Sequence, residues 1–154
     1  MEEFTIQRCC LVAEGRREYA STVTQPENIR DICVDMGLHN AAEEHVSLFT
    51  FNTRGKIIGY HEISHGSITG SVINPTEVFK RVLLENASGF ALVHNHPSMD
   101  VSPSQDDIVV TKRIAVASKI MGVDFLDHII ISPDGSFESF RRSQSDLFET
   151  TINL

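Results

Sequence analysis

The stretch from Gly89 to Asp107 constrains this chain more than any other part of it. Gly89-Phe90-Ala91-Leu92-Val93 is a short run with no polar side chain, and it reads as a strand buried on both faces of its sheet. The run ends in His94-Asn95-His96-Pro97, with Ser104 seven residues after the proline and Asp107 three after that serine. In extended chain, side chains at i and i+2 point to the same side, so His94 and His96 can face one way. Asp107 then comes from the first turn of a following helix, one turn beyond Ser104. Two imidazoles and a carboxylate are a natural three-ligand set for zinc. The metal takes histidine nitrogen and carboxylate oxygen at about 2.0–2.2 Å, and catalytic sites leave one position open for water.

The rest of the chain supplies layers for that strand. Phe4–Ala13 reads as a strand, and Pro26–Met36 as a helix with Ile29, Ile32, Cys33 and Met36 on one face and Gly37 after its end. A short helical turn is expected over Ala41–Glu44. Val46–Asn52 and Ile57–Ser64 form a hairpin through Thr53-Arg54-Gly55-Lys56. Asn74 caps a helix that begins at Pro75 and runs to Asn86, with Val78, Val82 and Leu83 as its core face. A third helix starts with Ser102 as cap, Pro103 in the first position and Gln105 closing a capping box, and it runs to about Met121 before Gly122. Val123–Ser132 and Ser136–Phe140 are strands around a Pro133-Asp134-Gly135 turn, followed by a polar tail that can form a short helix. The fold class expected is a three-layer α/β sandwich with a mixed sheet.

The pattern His-x-His-Pro, six residues, Ser, two residues, Asp resembles the zinc signature of the JAMM metalloprotease superfamily, also called MPN or JAB. The wording His94-Asn95-His96-Pro97-Ser98 with Pro103-Ser104, and the later segment Met121–Ile131, is similar to its RadC-like branch. The likeness runs from about Glu43 to Phe140. It implies a cytidine-deaminase-like α/β/α sandwich and one Zn2+ per chain held by His94, His96 and Asp107. It implies hydrolysis of a peptide or isopeptide bond, and so a peptide or protein substrate as partner. A general base is expected from a glutamate just before the hairpin. Glu43 and Glu44 both stand there, and Glu44-His45-Val46-Ser47-Leu48-Phe49 matches the branch better; Glu62, in mid-hairpin, is a distant alternative. The Ser104 hydroxyl is expected to steady the oxyanion. Asp127 and His128 look structural, or able to hold the outer nitrogen of a ligand histidine. Met99 departs from the pattern: relatives carry glycine there, which tolerates positive φ. The implied division is 1–42 as a lead-in strand and helix, 43–140 as the zinc domain, and 141–154 as a tail.

Other functions fit less well. A net charge of −8 opposes nonspecific attraction to a phosphate backbone, and the pairs Arg16-Arg17 and Arg141-Arg142 are small basic clusters. Direct nucleic-acid binding is therefore not expected, although the RadC name carries a DNA-repair association. A DNA-repair accessory protein and a non-catalytic MPN scaffold are the alternatives; metal-free scaffolds typically lack the ligands, which this chain retains. A zinc deaminase would need a Pro-Cys-x-x-Cys segment, which is absent. No apolar stretch reaches the 18 residues of a membrane span, and Met1-Glu2-Glu3 does not resemble a signal peptide. Cytoplasmic location and reduced Cys9, Cys10 and Cys33 are the expectation.

Overall fold

The buried central strands organise the molecule because their alternating side chains feed two separate cores. The computed structural model describes residue 15, residues 22–66 and residues 73–149. The strands are β1 (His45–Phe51), β2 (Ile57–His65), β3 (Gly89–Asn95), β4 (Asp124–Ile131) and β5 (Phe137–Ser139). The helices are α1 (Pro26–Asp35), α2 (Pro75–Leu84), α3 (Gln105–Met121) and α4 (Phe140–Ser143). Successive strand residues point to opposite faces. Val46, Leu48, Phe90, Leu92 and Ile130 pack with Val78, Phe79, Val82, Ile114, Ala115 and Phe140 on one side. Phe49, Phe51, Ala91, Val93, Ile129 and Ile131 pack with Ile29, Ile32 and Cys33 on the other. The result is three layers: α1, the sheet, and then α2, α3 and α4.

The sheet order is β2-β1-β3-β4-β5. β1 runs antiparallel to β2 and β3, β4 runs antiparallel to β5, and β3 runs parallel to β4. A parallel pair needs a crossover, and α3 supplies it. The two histidines therefore sit where β3 ends and its connection to α3 begins. The described residues bear out the expected α/β class with a mixed sheet.

Several boundaries differ from the sequence expectation. The short turn before β1 is a 3-10 turn at Leu38–Asn40, entered through Gly37 at φ 76°, and Ala41–Glu44 is not helical. Leu83 is 48% exposed, and Phe79 takes its place in the core. Five residues turn a helix through about 500°, which leaves Leu83 about 140° away from Val78. Ser104, not Ser102, caps α3, and its capping-box partner is Asp107, not Gln105. The Ser102 amide is already committed to the Asp100 carboxylate at 2.8 Å, so Ser102 and Pro103 lie ahead of the helix. After β5, α4 is followed by buried Leu147 and Phe148, so the segment read as a polar tail adds apolar side chains to a core. The strand expected at Phe4–Ala13, Cys9, Cys10, the Arg16-Arg17 pair and residues 150–154 lie outside the described residues. No helix of the described residues is long and apolar enough to cross a membrane.

One tie fastens α2 to the hairpin. The Glu85 carboxylate, at the end of α2, accepts the Thr50 hydroxyl and lies 2.9 Å from His61 Nε2. It reaches them across Gly59, where a Cβ would come within 2.2 Å of Glu85 Oε1. Gly59→Ala is expected to expel the carboxylate and strand the fully buried Thr50 hydroxyl. The cost should be about 1–3 kcal/mol of unfolding free energy, measured by urea denaturation.

Candidate metal centre

The strand-to-helix connection brings the sequence candidates together. His94 lies one residue before the end of β3 and is 3% exposed. Its Nδ1 lies 3.2 Å from Asp107 Oδ1, and its Nε2 lies 3.5 Å from Glu44 Oε2. Neither ring nitrogen has an aligned hydrogen-bond partner. His96 Nε2 lies 3.7 Å from Asp107 Oδ2, and the His94 and His96 rings meet nearly at right angles, 4.6 Å apart. His96 Nδ1 is 2.8 Å from the Asp100 carbonyl oxygen. A carbonyl only accepts, so Nδ1 carries the proton and Nε2 presents a bare lone pair. This is the arrangement in which a backbone carbonyl fixes the tautomer of a metal-binding histidine.

Asp107 and Glu44 differ in how firmly they are held. The Asp107 carboxylate accepts from the Ser104 amide at 2.8 Å and the Ser104 hydroxyl at 2.6 Å, while its own amide donates to Ser104 Oγ at 3.1 Å. Burial works to raise its pKa, but the His94 ring and the Ser104 donors more than offset this, so the carboxyl stays well below its ordinary value and is ionised. The Glu44 side chain is 34% exposed and faces a groove of about 640 Å³. Glu44, His94 and His96 each bring one donor atom within 4.8 Å of the others. Two carboxylates thus flank the histidines, one locked and one with room to move.

The neighbouring acids separate cleanly. Glu43 is exposed, and its carboxylate lies near Gly66 at the end of β2. Glu62 is occupied by His45 at 3.2 Å and His65 at 2.9 Å. Asp127 does not serve His94 or His96. It is adjacent to His128 on β4, so the pleat turns the two side chains to opposite faces. Asp127 instead accepts the Ser139 hydroxyl at 2.5 Å and the Arg141 amide at 2.9 Å. Burial raises its carboxyl pKa, against those hydrogen bonds. His128 lies beside His94, with rings 6.2 Å apart and 16° from parallel, and its other face stacks on Phe140. Burial holds its pKa down to about 3, so it is neutral. Its Nδ1 is 2.6 Å from Thr111 Oγ1, which donates at 2.6 Å to the Asp107 carbonyl. His128 thus supports the backbone under Asp107 without touching a ligand nitrogen. The Ser104 hydroxyl, expected to steady an oxyanion, donates its proton to Asp107 and so orients that carboxylate.

Sequence reasoning missed Asn95. Its side chain accepts the His45 amide at 2.7 Å and donates to the Glu43 carbonyl at 2.9 Å and the Ala41 carbonyl at 3.3 Å. It therefore clamps the backbone on both sides of Glu44. The available signal was an amide between the two histidines, and so on the opposite strand face; the structure buries it to 3% exposure. Asn95→Asp would turn two donated hydrogen bonds into a carboxylate facing two carbonyls. A loss of about 3 kcal/mol or more in urea unfolding is expected. Met99, at φ 65°, occupies the left-handed region where relatives were expected to carry glycine. It is 60% exposed and packs little, so Met99→Gly should relieve strain without opening a cavity. The glycine's extra unfolded-chain entropy limits the gain to about 1 kcal/mol, read as a small rise in Tm.

The donor set fits a divalent cation such as zinc. Buried His94, with both ring nitrogens facing carboxylates but making no aligned hydrogen bond, is a ring that a cation held between those groups would satisfy. Comparisons with known proteins point to one family. The family described as RadC-like JAB domain matches residues 23–145. A UPF0758 protein of Caldanaerobacter subterraneus is 41% identical over 123 residues, covering 76% of this chain and 52% of its own length. A UPF0758 protein of Methanosarcina mazei is 35% identical over 130 residues, covering 84% of this chain and 54% of its own. One from Staphylococcus aureus is 37% identical over 117 residues, covering 76% and 50%. The chain spans about half the length of the curated relatives it matches.

Proposed function

We propose that this chain, which belongs to the RadC-like JAB domain family, is a zinc-dependent hydrolase of peptide or isopeptide bonds. The observation that carries the proposal is buried His94, whose two ring nitrogens make no aligned hydrogen bond and face a locked and a movable carboxylate. His94, His96 and Asp107 would hold the metal. Zinc bound there would acidify a water and polarise the scissile carbonyl. Ser104 keeps Asp107 ionised and aimed. The Asp100 carbonyl keeps the proton off His96 Nε2. Glu44 takes the proton of the attacking water and delivers it to the leaving amine. The Asn95 clamp holds the Glu44 backbone, so the carboxylate can swing while its base stays fixed.

The test combines metal analysis with a peptide library. About one zinc per chain and chelator-sensitive cleavage are expected, with activity restored by added zinc. Zinc binding without any turnover would favour a scaffold. Salt-sensitive duplex binding would favour the DNA-repair alternative.

A further inference from the structure

The groove that holds Glu44 extends past the metal ligands along α3. Ile73, Val109 and Val110 line it, and Arg113 stands among the lining residues. Val109 is 54% exposed although it lies on a helix with a buried face elsewhere. Among the described residues its side chain stays half uncovered, and an aliphatic part of a ligand would cover it. The lining carries the carboxylates of Glu44, Asp100, Asp106 and Asp107, and Arg113 is its one arginine or lysine among the described residues. No ion pair joins Arg113 to another described residue. Asp106 lies seven residues back on the same face of α3, about 10 Å along the helix axis.

We infer that Arg113 selects substrates carrying a carboxylate near the scissile bond. The inference rests on the amide-hydrolase reading given above and names its substrate class. Arg113 is six residues beyond Asp107, about 9 Å along the axis. Extended peptide advances about 3.3 Å per residue, so the carboxylate belongs about two to three residues from the cut. An aspartate or glutamate side chain, or a chain-terminal carboxylate, meets the requirement. The guanidinium offers two parallel N–H donors to it. The intervening residue lies against Val109 and Val110.

Two arms test this. In the first, zinc-loaded wild-type protein cleaves a peptide library containing glutamate and glutamine equally at every position, and mass spectrometry reads the cuts. Glutamate should be favoured roughly tenfold at two to three residues from the bond. Arg113→Glu, with zinc content unchanged, should abolish that preference or turn it toward lysine. In the second arm, zinc-loaded Glu44→Gln binds a fluorescent peptide containing one glutamate, or its glutamine twin, measured by anisotropy. The glutamate peptide should bind roughly tenfold tighter, and Arg113→Gln should erase the difference. Equal affinity for the twins, or binding of neither, overturns the inference. A glutamate preference in binding with no cleavage by wild-type protein leaves the inference standing and removes the hydrolase reading.

Discussion

Glu44→Gln is expected to keep its zinc and lose its chemistry. The substitution retains size and hydrogen bonding but removes the partly exposed carboxylate beside His94. Positioned proton transfer contributes about 10²- to 10⁴-fold to rate, so kcat should fall by that factor while zinc per chain stays at the wild-type value. The outcome matters because Glu44 lies close enough to the histidines to be a ligand itself. The case for a base rests on freedom: Glu44 is a third exposed, whereas Asp107 receives two hydrogen bonds from Ser104 and is buried. If Glu44→Gln empties the site, the two carboxylates have been assigned in the wrong order.

Asp107→Ala should do the reverse, with zinc content falling to near zero and stability falling with it. Two effects add. The capping box at the start of α3 is broken, which costs about 1 kcal/mol. The larger effect is linkage: a ligand that binds only the folded state stabilises it by RT ln(1 + [L]/Kd), about 4 kcal/mol at a thousandfold excess over Kd. Wild-type Tm should therefore rise with free zinc and drop on chelation, while the Tm of Asp107→Ala should ignore both. His94→Ala should behave alike in metal content. A calorimetric series across zinc concentrations checks this, and a zinc-independent wild-type Tm would remove the metal centre altogether.

Much of the fold was readable because its signals are local. Pro26, Asn74-Pro75, Gly122 and the Pro133-Asp134-Gly135 turn mark element ends through backbone chemistry that needs no distant partner. The misplaced cap of α3 shows the limit. Ser102 and Ser104 offer the same side chain, and the choice went to the serine whose third residue onward is Asp107, with Asp100 occupying the amide of the other. Leu83 failed for a related reason, since spacing alone does not say where a buried arc is centred, and the sheet chose Phe79. Asp127 and His128 were grouped by adjacency, but a strand separates neighbours.

By itself the sequence placed the candidate donors: two histidines on one side of a strand end, and an aspartate one turn into the next helix. Those positions follow from the periods of strand and helix, which are properties of the backbone. It also placed Glu43 and Glu44 just before β1, but not which of them turns toward His94. That was decided by β1 lying antiparallel beside β3, with Val46 opposite His94, and by Asn95 tying down the chain from Ala41 to His45. Strand pairing and side-chain clamps join residues about fifty positions apart, and no local pattern encodes which partner each will meet.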